Sequence, residues 1–246
     1  MRSSIKKMPL IKILFPVLMA TTLQAQAQAE EFECLLEPHE LVNVSSPVAG
    51  LLAAVNVERG DQVSKGQVIA RLKSDVEQAA VDSARARAEF GQRKVVRNEE
   101  LIQQKLISPS EKDELETDSR VAQLELQEAE TVLEQRTIKS PIYGVVVERF
   151  LSAGEFVQSD PILKLAQLNP LNVEVIVPVD RLGNIHKGMK AVVRPQALVE
   201  GDYKAQVVIV DRVIDAASGT IGVRLELPNP DYRIPAGLKC TVTFPD

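Results

Sequence analysis

Tryptophan is absent from this 246-residue chain, and phenylalanine and tyrosine together make up 4% of it. So few large rings argue against one big buried core and suit long, thin elements built from alanine, leucine and valine. Positive charge is not in excess either. Lysine and arginine number 29 against 34 aspartates and glutamates, a formal net charge of -5 that lacks the basic footprint of a nucleic-acid binder. Histidine occurs only at His39 and His186, with no partner at metal-ligand spacing, and no nucleophile elbow or phosphate loop is present. An enzyme therefore finds no support, no cofactor or metal is expected, and both histidines read as surface or turn residues.

Long apolar runs are missing beyond the start of the chain. There, Arg2, Lys6 and Lys7 precede an apolar run from Ile13 to Leu23, interrupted by Pro16, and Ala27 and Ala29 stand in an A-x-A arrangement. This is the form of a cleavable export signal over residues 1–29, with cleavage expected after Ala29. The run is about half of the roughly 20 residues that cross a bilayer, so a permanent anchor is not expected. No cysteine closes the run, so a lipid-modified start is not indicated.

Cysteine occurs twice. Phe32, Cys34 and Leu36 alternate with Glu33, Leu35 and Glu37 near one end of the mature chain, and Leu238, Cys240, Val242 and Phe244 alternate with Lys239, Thr241 and Thr243 near the other. Each cysteine thus lies on the apolar face of a terminal strand. If those strands are neighbours in an oxidising compartment, a Cys34–Cys240 disulfide ties the ends together. The other reading is two buried free thiols acting as small core residues.

What the sequence does have is a repeat. SPVAGLLAAVNVERGDQVSKGQVIARL from Ser46 and SPIYGVVVERFLSAGEFVQSDPILKLA from Ser140 align without a gap. Ser46, Pro47, Gly50, Gly60 and Val63 fall on Ser140, Pro141, Gly144, Gly154 and Val157. One unit has been split in two. Its first half, GDQVSKGQVIARLKSDV over Gly60 to Val76, resembles the lipoyl and biotinyl carrier domain, with glycines at the turns. The resemblance places a modified lysine where this chain has Val76, so the carrier chemistry is lost and the motif serves as a β-sandwich scaffold.

Between the copies, residues 75–139 carry helical periodicity. Val81, Ala88, Val95 and Ile102 recur every seven residues, with Ala84 and Gly91 beside them. On the return, Leu115, Ala122 and Ala129 form one series and Ser119, Leu126 and Leu133 another. These series predict an antiparallel coiled-coil hairpin with a narrow seam. Each helix of about 30 residues reaches roughly 45 Å, so the hairpin must project. In the turn, Ser108, Pro109 and Glu111 form a capping box that starts the second helix.

Split lipoyl halves, an inserted hairpin and a following β domain resemble the periplasmic adaptors, or HlyD-like membrane fusion proteins, of tripartite efflux pumps of the resistance-nodulation-division type. In that family an arginine, a leucine four later and a serine seven after that lie near the hairpin tip and are implicated in docking to a TolC-type outer-membrane channel. Arg97, Leu101 and Ser108 match the spacing. Arg97 and Leu101 share a helix face, where a guanidinium fork and an apolar side chain suit a partner helix. The competing reading makes Arg97 a solvated charge, Leu101 a seam residue and Ser108 simply a cap.

After residue 168 come short alternating strands at LNVEVIVP, Ala191 to Arg194, Tyr203 to Val213 and Thr220 to Leu227, preceded by a link at Asn169 and Pro170 and including a short helix over Asp180 to Ile185. They predict a small β-barrel whose missing wall is the N-terminal strand. The expected fold is α+β and elongated: barrel at 30–45 and 168–246, lipoyl-like sandwich at 46–74 and 140–167, helical hairpin at 75–139. Larger family members continue into a membrane-proximal domain, which this chain ending at Asp246 is expected to lack. The resemblance implies a periplasmic protein associated with the inner membrane through its transporter, copies in a ring, and partners in an inner-membrane transporter and an outer-membrane channel. An adaptor of an ATP-driven exporter or type I secretion system shares the architecture and is the alternative.

Overall fold

The computed structural model describes residues 30–104, 106–196 and 201–245; the export signal expected over residues 1–29 lies outside them. Alternating apolar residues and glycine turns give β1 (Glu31–Ser45), β2 (Gly50–Val55), β3 (Gln62–Val63) and β4 (Val68–Leu72). The heptad stretch gives α1 (Asp75–Gln103) and α2 (Pro109–Glu134). The second motif copy forms β5 (Thr137–Lys139), β6 (Gly144–Arg149), β7 (Phe156–Val157) and the long β8 (Pro161–Pro178). A 3-10 turn at Val179–Arg181 leads to β9 (Lys190–Pro195), β10 (Tyr203–Val210), β11 (Thr220–Leu227) and β12 (Lys239–Thr243).

The two motif copies assemble by exchange. Gly50 pairs with Val157 across β2 and β7, and Gly144 with Val63 across β6 and β3, so positions that match in sequence pair crosswise in space. The turns obey the same rule. The Gly60 N–H donates to the Val146 carbonyl at 2.9 Å and the Gly154 N–H to the Leu52 carbonyl at 2.8 Å. Both glycines are left-handed, with φ of 96° and 92°, a conformation that costs glycine little. The Ser46 hydroxyl donates to the Val48 carbonyl at 2.5 Å, and Ser140 repeats the bond to Ile142 at 2.7 Å. Two four-stranded layers result, β1-β8-β6-β3 and β5-β4-β2-β7, related by a pseudo-two-fold. Leu52, Ile69, Leu72, Val146, Val157, Ile162 and Leu165 fill the space between them.

Pseudo-symmetry also locates the two appendages. The hairpin leaves where β4 ends, and at the matching point β8 runs on into the barrel. There β1, β12, β9, β10, β11 and β8 form a ring closed by the β1–β8 pairing, which removes free edges. Its interior is apolar: Leu36, Leu171, Val173, Val177, Val193, Leu225 and Val242 are fully buried. Two local expectations change. The anticipated link at Asn169 and Pro170 is a cis peptide inside a continuous strand, and the β1–β8 ladder lapses beside it between Pro38 and Glu40. The anticipated helix over Asp180 to Ile185 shrinks to the single turn at Val179–Arg181, because Gly183 stops it one turn on. Strand β1 serves both cores, with Cys34 and Leu36 in the barrel and Val42 and Val44 in the sandwich.

Candidate functional site

The helices pack along the seam that the heptads define. Val81, Ala84, Ala88, Leu115 and Ser119 are buried in it. At its middle the backbones nearly touch, since a Cβ on Gly91 would stand 3.2 Å from the Ser119 Cα. Charges ladder the flanks. Arg85 pairs with Glu130 at 2.9 Å and Arg87 with Glu125 at 3.8 Å within the hairpin, whereas Arg93 turns back to Glu89 of its own helix at 3.4 Å. These pairs are exposed and contribute about 0 to 1 kcal/mol each, so they set register more than stability.

At the tip, α1 ends with the Leu106 N–H donating to the Leu101 carbonyl at 2.9 Å. The Ser108 hydroxyl accepts from the Glu111 N–H at 3.1 Å, with Pro109 in the first helical position, so its capping role is built in. Arg97, Leu101 and Ser108 are all exposed. Leu101 retains 39% of its surface, while the seam position beside it belongs to half-buried Ile102. The reading of Leu101 as a seam residue therefore does not hold. No ion pair engages Arg97 among the described residues, although Glu99 and Glu100 follow it near the negative end of the helix dipole. An exposed cation and an exposed leucine one turn apart can bind a polar backbone end and an apolar groove of a partner.

One extension was not read from the sequence. Phe90, a full heptad before Arg97, is 57% exposed, and a shallow cleft joins it to Gln92, Arg93, Val96 and Arg97. Phe90, Lys94, Arg97 and Leu101, spaced by four, three and four residues, occupy one flank of α1 away from the seam. The signal was a phenylalanine at heptad distance from Arg97 in a chain with six phenylalanines. Val76, where a carrier domain would present its lysine, stands exposed in the first turn of α1 rather than at a hairpin tip. Far from the hairpin tip, Cys34 lies directly opposite Cys240 across β1 and β12, their Sγ atoms 1.99 Å apart and both side chains buried.

A family model described as the CzcB-like barrel-sandwich hybrid domain matches residues 40–166, and one described as the CusB-like β-barrel domain matches residues 171–246. The chain belongs to the membrane fusion protein family of adaptors. An uncharacterized protein of Haemophilus influenzae is 23% identical to this adaptor over 208 residues, covering 83% of this chain and 54% of that one. The multidrug/solvent efflux pump periplasmic linker protein MepA of Pseudomonas putida is 22% identical over 244 residues, covering 91% and 63%. This adaptor thus spans about half to two thirds of the length of these curated relatives. Among solved structures, a MacA-MexA chimera containing the Pseudomonas aeruginosa MexA alpha-hairpin domain superposes with a TM-score of 0.73 at 19% identity, covering 87% of this chain and 80% of that one. That likeness establishes the sandwich-and-hairpin fold of the adaptor.

Proposed function

We propose that this chain is the periplasmic adaptor subunit of a tripartite efflux pump, joining an inner-membrane transporter of the resistance-nodulation-division type to a TolC-type outer-membrane channel. It carries no catalysis and is delivered to the periplasm by the signal at residues 1–29. The observation that carries this reading is the tip: Arg97, Leu101 and Ser108 are presented to solvent at the end of a hairpin too thin to have a core of its own. Each does something a docking end requires. Arg97 offers a planar fork to carbonyls or carboxylates, Leu101 an apolar contact, and Ser108 a fixed turn between the helices.

Copies of the chain stand side by side in a ring. The tip-ward half of α1 carries Lys94 and Arg97, whereas α2 carries Asp118 and Glu128, none of them in an ion pair among the described residues, so one flank of a hairpin complements the other flank of its neighbour. The transporter meets the end of the barrel away from the sandwich, where the β10–β11 loop exposes Val213 at 82% beside Ile214, with Val179 and Leu182 nearby.

In-cell cross-linking from a photoreactive residue at Leu101, followed by identification of the captured protein, tests the reading. Capture of an outer-membrane channel is expected. Capture of only copies of this chain, or of nothing, in pump-active cells overturns docking at the tip.

A further inference from the structure

Beneath the hairpin, one residue reaches three segments, two through its side chain and one through its backbone carbonyl. Arg136 stands between α2 and β5. Its Nη2 donates to Glu77 Oε1 at 2.7 Å in the first turn of α1, and its Nη1 donates to the Ala49 carbonyl at 3.0 Å where the first motif copy begins. Its own carbonyl accepts from the Leu72 N–H at 2.8 Å, at the end of β4. Both ends of the hairpin and the sandwich are therefore fastened at one residue. The Arg136–Glu77 pair is also the least exposed ion pair among the described residues, at 21% and 16%, so it is screened far less than the ladder along the hairpin. Gly50 makes room for it, since a Cβ there would lie 2.8 Å from Arg136 Nη1.

Two features mark this contact as more than packing. When the motif alignment is extended backward, Arg136 falls on Val42, an apolar residue packed on the sandwich core at the root of the barrel. Of two pseudo-equivalent exits, one is closed by a hydrocarbon and the other by a guanidinium. Moreover, the Arg136 Nε–H is buried without an acceptor. A desolvated donor left unpaired is a cost that a hydrocarbon at this position would not carry.

We propose that Arg136 is a positioning residue that sets the angle at which the hairpin leaves the sandwich, holding the tip in register through Glu77 and Ala49. The hairpin amplifies its effect. At about 1.5 Å per residue, α1 is a lever of about 44 Å, so a change of about 10° at the root moves the tip by about 8 Å. The consequence for channel docking rests on the function proposed above, but the angle itself does not.

The test is the distance distribution between spin labels carried by introduced ketone amino acids at Gln127 on the hairpin and Lys65 on the sandwich, in the purified full-length mature chain. Arg136→Gln and Glu77→Gln are each expected to at least double the width of the distribution with the circular dichroism spectrum unchanged. Arg136→Lys, which can reach Glu77 or Ala49 but lacks the fork for both, is expected to recover about half of the narrowing. Should Arg136→Gln fail to fold, Glu77→Gln decides alone, because it keeps the guanidinium and the shape of the partner. A distribution as narrow in Glu77→Gln as in the parent overturns the proposal, whatever the Leu101 cross-link captures. A broadened distribution together with failed channel capture supports the hinge and removes the docking role.

Discussion

The hairpin and the barrel grow from matching ends of one pseudo-symmetric sandwich, yet they are held in opposite ways. At the barrel root two strands, β1 and β8, pass through without a break, and buried Asn229 ties the neighbouring loop down by donating to the Leu168 carbonyl at 3.0 Å and the Ile234 carbonyl at 2.9 Å. Within the barrel a closed ring surrounds an apolar core rich in valine, leucine and isoleucine. At the hairpin root the chain crosses in short links, and Arg136 is the fastening. The seam above buries only Val81 and Leu115 among large side chains, with Ala84, Ala88 and Ser119 between them, which allows close approach but removes little apolar area from water. Stability therefore resides in the barrel and sandwich, and the hairpin is reach, kept straight by register rather than by a core.

That contrast breaks most readily at the cysteines. A bond between residues 206 apart restricts the unfolded chain strongly, and losing it is expected to cost about 2 to 5 kcal/mol. Cys34→Ala with Cys240→Ala is expected to lower the stability read from the β signal by that amount while the helical signal of the hairpin moves less. Intact mass under non-reducing conditions checks the premise. Two free thiols in purified exported protein would take away the largest single asymmetry between barrel and hairpin.

Next in size is a comparison of matched glycines. A Cβ at Gly144 would lie 2.3 Å from the Ala166 carbonyl oxygen, a backbone atom that cannot move without shifting β8. Gly144→Ala is expected to cost about 3 kcal/mol or more, at the top of the range for overpacking. At Gly50 the same Cβ meets the end of Arg136 and, at 3.2 Å, the Leu72 Cδ1. Those atoms can give way, so Gly50→Ala is expected to cost about 1 kcal/mol and to loosen the hairpin angle. Equal losses in thermal melting at the two positions would mean that the two roots are equally rigid.

The legible parts of this architecture are those written in local periodicity. The gapless repeat marked the split sandwich, and the heptads of Val81, Ala88, Leu115 and Ser119 marked the seam. Alternation marked the barrel strands, because a period of two survives whatever the partner strand is. What stayed hidden depends on distant neighbours. Pro170 read as a link because proline cannot donate to a ladder, yet β8 continues through it where the ladder to β1 lapses. Arg136 gave no signal at all, since its three partners come from positions 49, 72 and 77, which only the fold brings together. At the tip, the spacing of Arg97, Leu101 and Ser108 and the seam position of Ile102 could be seen, but how far Leu101 stands clear of the seam could not. Shifting the seam by one residue would bury Leu101 and expose Ile102.

Ser108 offers a smaller and more local break. Ser108→Ala removes the acceptor for the Glu111 N–H, which is expected to cost about 1 kcal/mol of helix stability. Because the tip is the far end of the hairpin, the loss is expected as faster amide exchange over the first turn of α2, with the global melting temperature unchanged. A Ser108→Asp variant keeps the cap and changes the chemistry. If it restores slow exchange but not channel capture from Leu101, Ser108 touches the partner; if it restores both, the cap is its whole role.

The smallest effect lies back at the hairpin root, where α2 ends on Glu134. Its carboxylate accepts a hydrogen bond from Lys139 Nζ at 2.8 Å, and that bond, more than the charge, holds its pKa below the ordinary 4.5. A folded-state pKa below the unfolded one means stabilisation that is present at neutral pH and is lost as pH falls from about 4.5 through the lowered value. The group is fully exposed, so salt screens the effect. Lys139→Met is expected to remove this one contribution from the acid arm of the hairpin's helical signal at low ionic strength, and to leave that arm unchanged in high salt. The barrel has its own control in Asp215, held low chiefly by the Ala217 and Ser218 N–H groups, whose backbone donors Lys139→Met does not touch. An acid response of the barrel signal that followed Lys139 would show the two roots to be coupled through the sandwich, which independent anchoring of hairpin and barrel does not allow.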